Sequence, residues 1–218
     1  MCCKRLVLVL ALLAFLFVLL AAEDSQKQQN VLVPENQNEA RLNRLQPPGR
    51  VLDAIGVVPG MTVAEIGAGR GRYVVQLAVR VGENGKVYAE DIDAASLQHL
   101  EKRCQRGGLK NVETILGDVT DPKLPERQLD LIFIISSYHH FADPVKLLRN
   151  AKPALKPDGT LAIGEWLPRE DRHSSEYGTP EQMEAQMKEA GYKLERIETF
   201  LKKNNMYIYI FRLNDTLR

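Results

Sequence analysis

From residue 60 onward, short apolar runs alternate with segments of helical spacing, and few architectures accept that order. Thr62–Ile66 is an apolar run that ends in glycines, and Tyr73–Val81 has helical spacing closed by Gly82-Glu-Asn-Gly85. Lys86–Glu90 predicts a second strand, Ala94–Arg106 a helix stopped at Gly107-Gly108, and Val112–Leu116 a third strand. Leu129–Ile135 is continuously apolar, as a strand buried on both faces should be. Pro144–Leu155 predicts a helix closed by Lys156-Pro-Asp-Gly159, and Thr160–Gly164 a fifth strand. Pro180–Ala190 is a helix closed by Gly191; Tyr192–Phe200 and Met206–Leu213 then lie close enough to form a hairpin. Ahead of this pattern, Leu42, Leu45, Val51, Leu52 and Ile55 mark apolar helix faces that Pro47-Pro48-Gly49 divides into two short helices. The order predicts an α/β fold: a three-layer, doubly wound, mostly parallel seven-stranded sheet with a C-terminal antiparallel hairpin. Such a sheet binds ligands at the carboxyl ends of its strands, near the switch in strand order.

Three consecutive strands carry polar signals at that edge. Val63-Ala-Glu-Ile-Gly67-Ala-Gly69-Arg-Gly71 follows the first strand and opens a helix. Glycines there let backbone approach a ligand, and the helix start offers N–H groups. The spacing is G-x-G-x-G, with Arg72 where a dinucleotide fingerprint has its last glycine, and the lysine of a phosphate-cradling P-loop is missing. The second strand runs Val87-Tyr-Ala-Glu90-Asp91-Ile-Asp93, which places acids about 20 residues beyond the glycines, where a carboxylate accepts from both ribose hydroxyls. The third strand ends in Leu116-Gly117-Asp118, where a side chain would meet an adenine amino group.

This combination resembles the class I S-adenosylmethionine-dependent methyltransferases over about residues 40–213. Glu65-x-Gly67-x-Gly69-x-Gly71 matches the family's first motif, which holds the methionine end of the cofactor. Asp91 matches the ribose-binding acid, with Glu90 and Asp93 close enough to leave the choice open. Asp118 matches the adenine-side acid, Asp130-Leu-Ile-Phe the fourth-strand motif, and Leu155-Lys-Pro-Asp-Gly159 the turn before the fifth strand. Asp158 departs from the glycine frequent there. The resemblance implies S-adenosyl-L-methionine as cofactor, held by Glu65, Gly67, Ala68, Gly69, Gly71, Asp91, Ile92, Gly117, Asp118 and Ser136. Gln46-Pro-Pro, Asp121-Pro-Lys-Leu-Pro125 and Ser137-Tyr-His-His-Phe141-Ala-Asp-Pro144 together look like a bacterial methyltransferase-like branch, several members of which carry leaders.

Methyl transfer needs an electrophilic methyl held in line with a nucleophile, and acceptors with an acidic O–H or C–H also need a base. Tyr138, His139 and His140 follow the fourth strand, where the methyl should lie, and are the catalytic candidates. Trp166 and Tyr177, in the segment after the fifth strand, are candidates for lining the acceptor. The amino-group motif Asn/Asp-Pro-Pro-Tyr/Phe is replaced by Ser136-Ser-Tyr-His139, which argues against DNA adenine and protein glutamine. His99 and His173 have no ligand spacing, so no metal site is predicted. A catalytically silent adenosyl-binding protein tethered at a membrane, and a nicotinamide-dependent oxidoreductase, are the competing readings.

Charge supports a small acceptor. Lys and Arg total 29 against 28 Asp and Glu, which leaves no basic surplus for nucleic acid. The N-terminus stands apart: Lys4-Arg5 precedes seventeen apolar residues, 6–22, and a polar Gln/Asn-rich stretch follows. Residues 1–22 read as a signal peptide or a membrane anchor, 23–38 as a polar linker and 39–218 as the catalytic domain. The expected location is secreted or periplasmic, or membrane-anchored through an N-terminal leader helix. Cys104 is the one cysteine beyond the leader, so no intrachain disulfide is available to the domain.

Overall fold

A computed structural model describes residues 15–16, 18–19, 22–23, 25–167 and 179–214. Helices α1 (Gln37–Leu45) and α2 (Pro48–Ala54) precede the alternating part. There follow β1 (Thr62–Ile66), α3 (Val74–Val81), β2 (Lys86–Asp91), α4 (Ala94–Arg106), β3 (Val112–Leu116) and β4 (Leu129–Ile135). A 3-10 turn, Tyr138–His140, leads to α5 (Pro144–Ala151), β5 (Leu155–Trp166), α6 (Pro180–Ala190), β6 (Tyr192–Glu198) and β7 (Met206–Leu213).

The strands form one sheet in the order β3-β2-β1-β4-β5-β7-β6. Six run in the same direction, and β7 inserts antiparallel between β5 and β6. The direction of winding reverses between β1 and β4, which makes their carboxyl ends the switch point. Side chains alternate across the sheet, so one face sends Val63, Val87, Leu131 and Phe133 toward Leu52, Leu77 and Leu100 of the flanking helices. The other sends Ala64, Ile66, Ile132 and Ile134 toward Leu147, Leu148, Met183 and Met187. These two apolar layers make the three-layer architecture expected from the sequence.

Local signals explain the helix ends. Asp93 caps α4, accepting from Ala95 N at 3.0 Å and Ser96 N at 3.2 Å. Thr179 and Gln182 form a capping box at α6, and Gly191 closes that helix with a left-handed backbone. The helix after β4 stops at Ala151, four residues short of the expected end, because Pro153 removes a helical N–H and forces a 3-10 turn over Lys152–Ala154. Leu155–Trp166 is one strand of 12 residues, longer than the expected Thr160–Gly164. The exposed Pro157-Asp158 sits within it, at a register shift against Leu129 and Leu131.

The polar stretch after the apolar segment packs on the domain. Residues 25–31 are helical and Val31 is buried against Gly107. Arg103 of α4, fully buried, donates to Glu39 at 2.7 and 3.2 Å and to Val31 O at 3.2 Å. Glu35 reaches His99 at 2.6 Å and Arg106 at 2.8 Å. Most of residues 6–22 lies outside the described residues; among those described, no helix is long and apolar enough to cross a membrane.

Candidate active site

The glycine loop runs from the end of β1 into α3. Gly69 has φ +51°, and a Cβ on it would meet nothing within 4 Å, so its exposed side opens onto the cavity beside it. Asp91, at the end of β2, fixes this loop: its Oδ2 accepts from Gly69 N at 2.7 Å and its Oδ1 from Asp93 N at 2.9 Å.

The three acids that the sequence left as alternatives have separate environments. Asp93 is the exposed cap of α4, and its bonds to Ser96 and Ala95 hold its carboxyl below the usual range. Glu90 is buried beneath Gly117, where a Cβ would overlap its Oε1; the absence of a side chain at 117 makes room for the carboxyl. Burial pushes Glu90 up to about 8, against the pull of the Gly67 N–H, with Asp91 and Asp121 adding to the rise. Asp91 is half-buried and lines a cavity of about 320 Å³ together with Ile92, Asp118, Val119 and Ser136. Asp118 stands at its rim, paired with Lys123 at 3.0 Å.

A second cavity, about 290 Å³, continues past Gly67 and Ser136, which line both. Its walls carry Glu65, Ala68, Gly69 and Arg72. Glu65 is buried, and its Oε2 has no hydrogen-bond partner. Burial pushes this carboxyl up to about 8, with Arg72 opposing and Asp91 reinforcing the rise. Ser136 joins the two cavities in a left-handed conformation, φ 54°, its N–H donated to Gly164 O at 2.8 Å. One chamber thus offers exposed apolar side chains and carboxylates, suited to a nucleoside. The other offers a buried acid beside a cation, suited to the zwitterionic end of an amino acid. A glycine cradle and an unpaired buried oxygen between them fit a ligand that joins both ends.

Beyond β4 the chain turns back over the sheet edge. His139 Nδ1 lies 3.0 Å from Glu165 Oε1 on β5, and both side chains are buried. The Glu165 carboxylate also accepts from Trp166 N at 2.8 Å and from His139 N at 3.3 Å, so its position is over-determined. The His140 ring centroid lies 3.9 Å from that of His139, with the two planes tilted by 53°, and His140 lines the nucleoside-side cavity. Tyr138 turns away: its OH donates to Gln186 at 2.6 Å, its ring meets Phe141 edge-on, and burial pushes the phenol up. Trp166 is half-buried against the first core layer. Tyr177 lies outside the described residues. Glu165 escaped the sequence reading, although a single acid inside the apolar run Leu161–Trp166 is a signal of a buried, partnered charge.

A larger depression, about 750 Å³, lies between Gly82, Gly85 and Lys110 at the opposite, amino ends of the strands. Open α/β sheets place ligands at the carboxyl ends, which favours the paired cavities.

Comparison with known proteins agrees with this geometry. The profile of the methyltransferase-domain family matches residues 58–212. Nocamycin O-methyltransferase of Saccharothrix syringae is 32% identical over 115 residues, 52% of this chain and 41% of that protein. Aklanonic acid methyltransferase DauC of a Streptomyces species is 29% identical over 147 residues, 65% of this chain and 67% of that enzyme. The chain therefore spans under half of the first relative and about two thirds of the second. A crystal structure of a SAM-dependent methyltransferase from Aquifex aeolicus superposes with TM-score 0.72 at 28% identity, covering 84% of this chain and 97% of that one. The chain belongs to the methyltransferase-domain family, with a Rossmann-like fold of class I and S-adenosyl-L-methionine as cofactor.

Proposed function

We propose that this protein transfers a methyl group from S-adenosyl-L-methionine to a small-molecule acceptor that gives up a proton. The observation that carries this reading is the pair of joined cavities at the switch point, one suited to a nucleoside and one to an amino-acid zwitterion. The bound cofactor supplies an electrophilic methyl on a sulfonium. The chain supplies position. Asp91 accepts from the ribose hydroxyls while it keeps Gly69 in place; Ile92, Gly117 and Asp118 flank the base. Glu65 and the backbone of Gly67, Ala68, Gly69 and Gly71 receive the amino-acid end, and Ser136 lies where the two chambers join.

His139 takes the acceptor proton. With Nδ1–H donated to Glu165, the basic lone pair of the ring is at Nε2, and the buried carboxylate stabilises the imidazolium that forms. Trp166, at the end of β5, is assigned to the acceptor side, and His140 borders the nucleoside chamber. The nocamycin and aklanonic acid enzymes are named for small organic acceptors, which supports this substrate class. The near balance of 29 basic and 28 acidic side chains supports it over nucleic acid. The seventeen apolar residues behind Lys4-Arg5 would deliver the domain to a membrane or across it. N-terminal sequencing with protease protection decides between cleavage and anchoring.

Binding tests the reading. The full-length protein should bind S-adenosylhomocysteine with a micromolar Kd by calorimetry, and NAD more weakly. Tighter binding of NAD would replace this function by hydride transfer. Asp91→Ala should weaken S-adenosylhomocysteine binding by about 10- to 100-fold, since it removes charge-assisted bonds worth about 1.5–3 kcal/mol. Gly117→Ala should weaken it by about tenfold or more, because the added methyl drives the Glu90 carboxyl into the nucleoside chamber. The Gly117→Ala, Glu90→Ala double variant should recover most of that loss.

A further inference from the structure

We infer that Arg72 is the cation that receives the carboxylate of the cofactor's amino-acid end, and that Gln46, from the N-terminal segment, is its positioning residue. This rests on the cofactor reading above.

Three arginines border the amino-acid chamber: Arg70, Arg72 and Arg103. Their charges are not equally committed. Arg103 is neutralised by the Glu39 carboxylate at 2.7 Å. Arg70 points to the outer side of the loop, where its NH2 meets His99 at 2.8 Å. Arg72 donates to two neutral amide oxygens, Gln46 Oε1 at 2.5 Å and Asn43 Oδ1 at 3.3 Å, and its guanidinium lies 4.4 Å over the Tyr73 ring. Of the two acids that line the chamber, Glu39 is taken by Arg103, and burial drives Glu65 toward its neutral form. Arg72 thus brings a positive charge to the chamber wall, held there by two neutral acceptors and an aromatic face. A half-buried guanidinium so arranged attracts a carboxylate, and the planar fork suits a carboxylate's two oxygens.

Gln46 explains why Arg72 takes this pose. Its side chain is completely buried, unusual for glutamine, and every polar contact has a purpose. Its Oε1 accepts from Arg72, its Nε2 donates to Ser136 Oγ at 2.9 Å, and its backbone carbonyl accepts from the Tyr73 hydroxyl at 2.9 Å. Asn204, from the hairpin, donates to the neighbouring Leu45 O at 2.6 Å and anchors the same point from the other side. One amide therefore ties the cation on the glycine-loop side to Ser136, the residue after β4 that lines both chambers.

The test compares S-adenosylhomocysteine with its decarboxylated analogue, which lacks only the carboxylate, by calorimetry on the full-length protein. The natural chain should prefer S-adenosylhomocysteine by about 10- to 100-fold, the value of a charge-assisted contact. Arg72→Ala should erase that preference while the analogue binds within about threefold of its original affinity, which also shows that the variant is folded. Arg72→Lys should restore part of it. Gln46→Ala should reduce the preference by about 3- to 10-fold, and Gln46→Glu should reduce it further. The near-isosteric glutamate gives Arg72 an internal carboxylate and competes with the ligand, an effect that lost packing alone would not produce. If Arg72→Ala or Arg72→Lys weakens both ligands equally, or leaves the preference intact, the assignment is overturned. If the natural chain binds neither ligand, the cofactor reading itself fails, and the two failures are thereby told apart.

Discussion

Replacing His139 by glutamine is expected to lower methyl turnover by about 100- to 1000-fold, within the span usual for loss of a positioned base. The same variant should bind S-adenosylhomocysteine within about twofold of the natural chain. The separation follows from the geometry. His139 is held by Glu165 at 3.0 Å on the β5 side, whereas the cofactor chambers are lined by Asp91, Glu65 and the glycine loop. Glutamine retains a hydrogen bond to Glu165 and much of the imidazole's volume, but has no basic nitrogen to take the acceptor proton. Glu165→Gln should cost less, about tenfold, because it removes the orienting charge and leaves the base. Single-turnover rates and calorimetry on the same preparations read the two effects separately. Equal loss of binding and turnover in His139→Gln would mean that this histidine supports the cofactor site and takes no proton.

Stability should fall as pH rises from about 5 to about 8, by an amount on the order of several kcal/mol. Glu65 and Glu90 are both buried beside the chambers, and burial carries each from 4.5 up to about 8 in the folded chain. Unfolded, both titrate near their ordinary value. Between those limits the folded state binds more protons than the unfolded one, so the linkage slope is negative. The stabilisation is complete below about pH 4.5 and is lost as pH passes through about 8. Urea midpoints at several pH values should show the decline, and the Glu65→Gln, Glu90→Gln pair should flatten it. Cofactor binding should act oppositely on Glu65. The ligand's ammonium favours the ionised carboxyl, so binding near pH 7 should release protons, visible as a buffer-dependent heat that Glu65→Gln diminishes. A stability profile that rises through this window would contradict the buried, protonated state of both groups.

The fold was largely legible because each strand of the parallel part announces itself by an apolar run and each helix by a stop. One element departs from its sequence signal. Lys156-Pro-Asp-Gly159 has the composition of a helix-ending turn, yet Pro153 had already ended the helix, and the chain takes the Pro-Asp pair as a bulge inside β5. At the site, the glycine loop and the acids were visible as motifs, but their division of labour was not. Glu90, Asp91 and Asp93 lie within four positions, and only the exact end of β2 and the start of α4 separate a buried acid, a cavity acid and a helix cap. Pairs distant in sequence left less trace. His139 and Glu165 are 26 residues apart, and Gln46 and Ser136 are 90 apart. Spacing along a chain records which residues share an element, not which elements meet. In the sequence Arg72 is only a departure from a dinucleotide fingerprint; its charge acquires meaning in the fold, where Glu39 takes Arg103.

The most direct measurement of the central claim is methyl transfer itself. Full-length protein would be incubated with methyl-labelled S-adenosyl-L-methionine and a small-molecule extract, and the products separated by size and solvent partition. The predicted result is label in low-molecular-weight products, with S-adenosylhomocysteine formed in equal amount and both abolished in His139→Gln. Label that stays on the cofactor although S-adenosylhomocysteine binds, or that enters only protein or nucleic acid, would contradict a small-molecule methyltransferase.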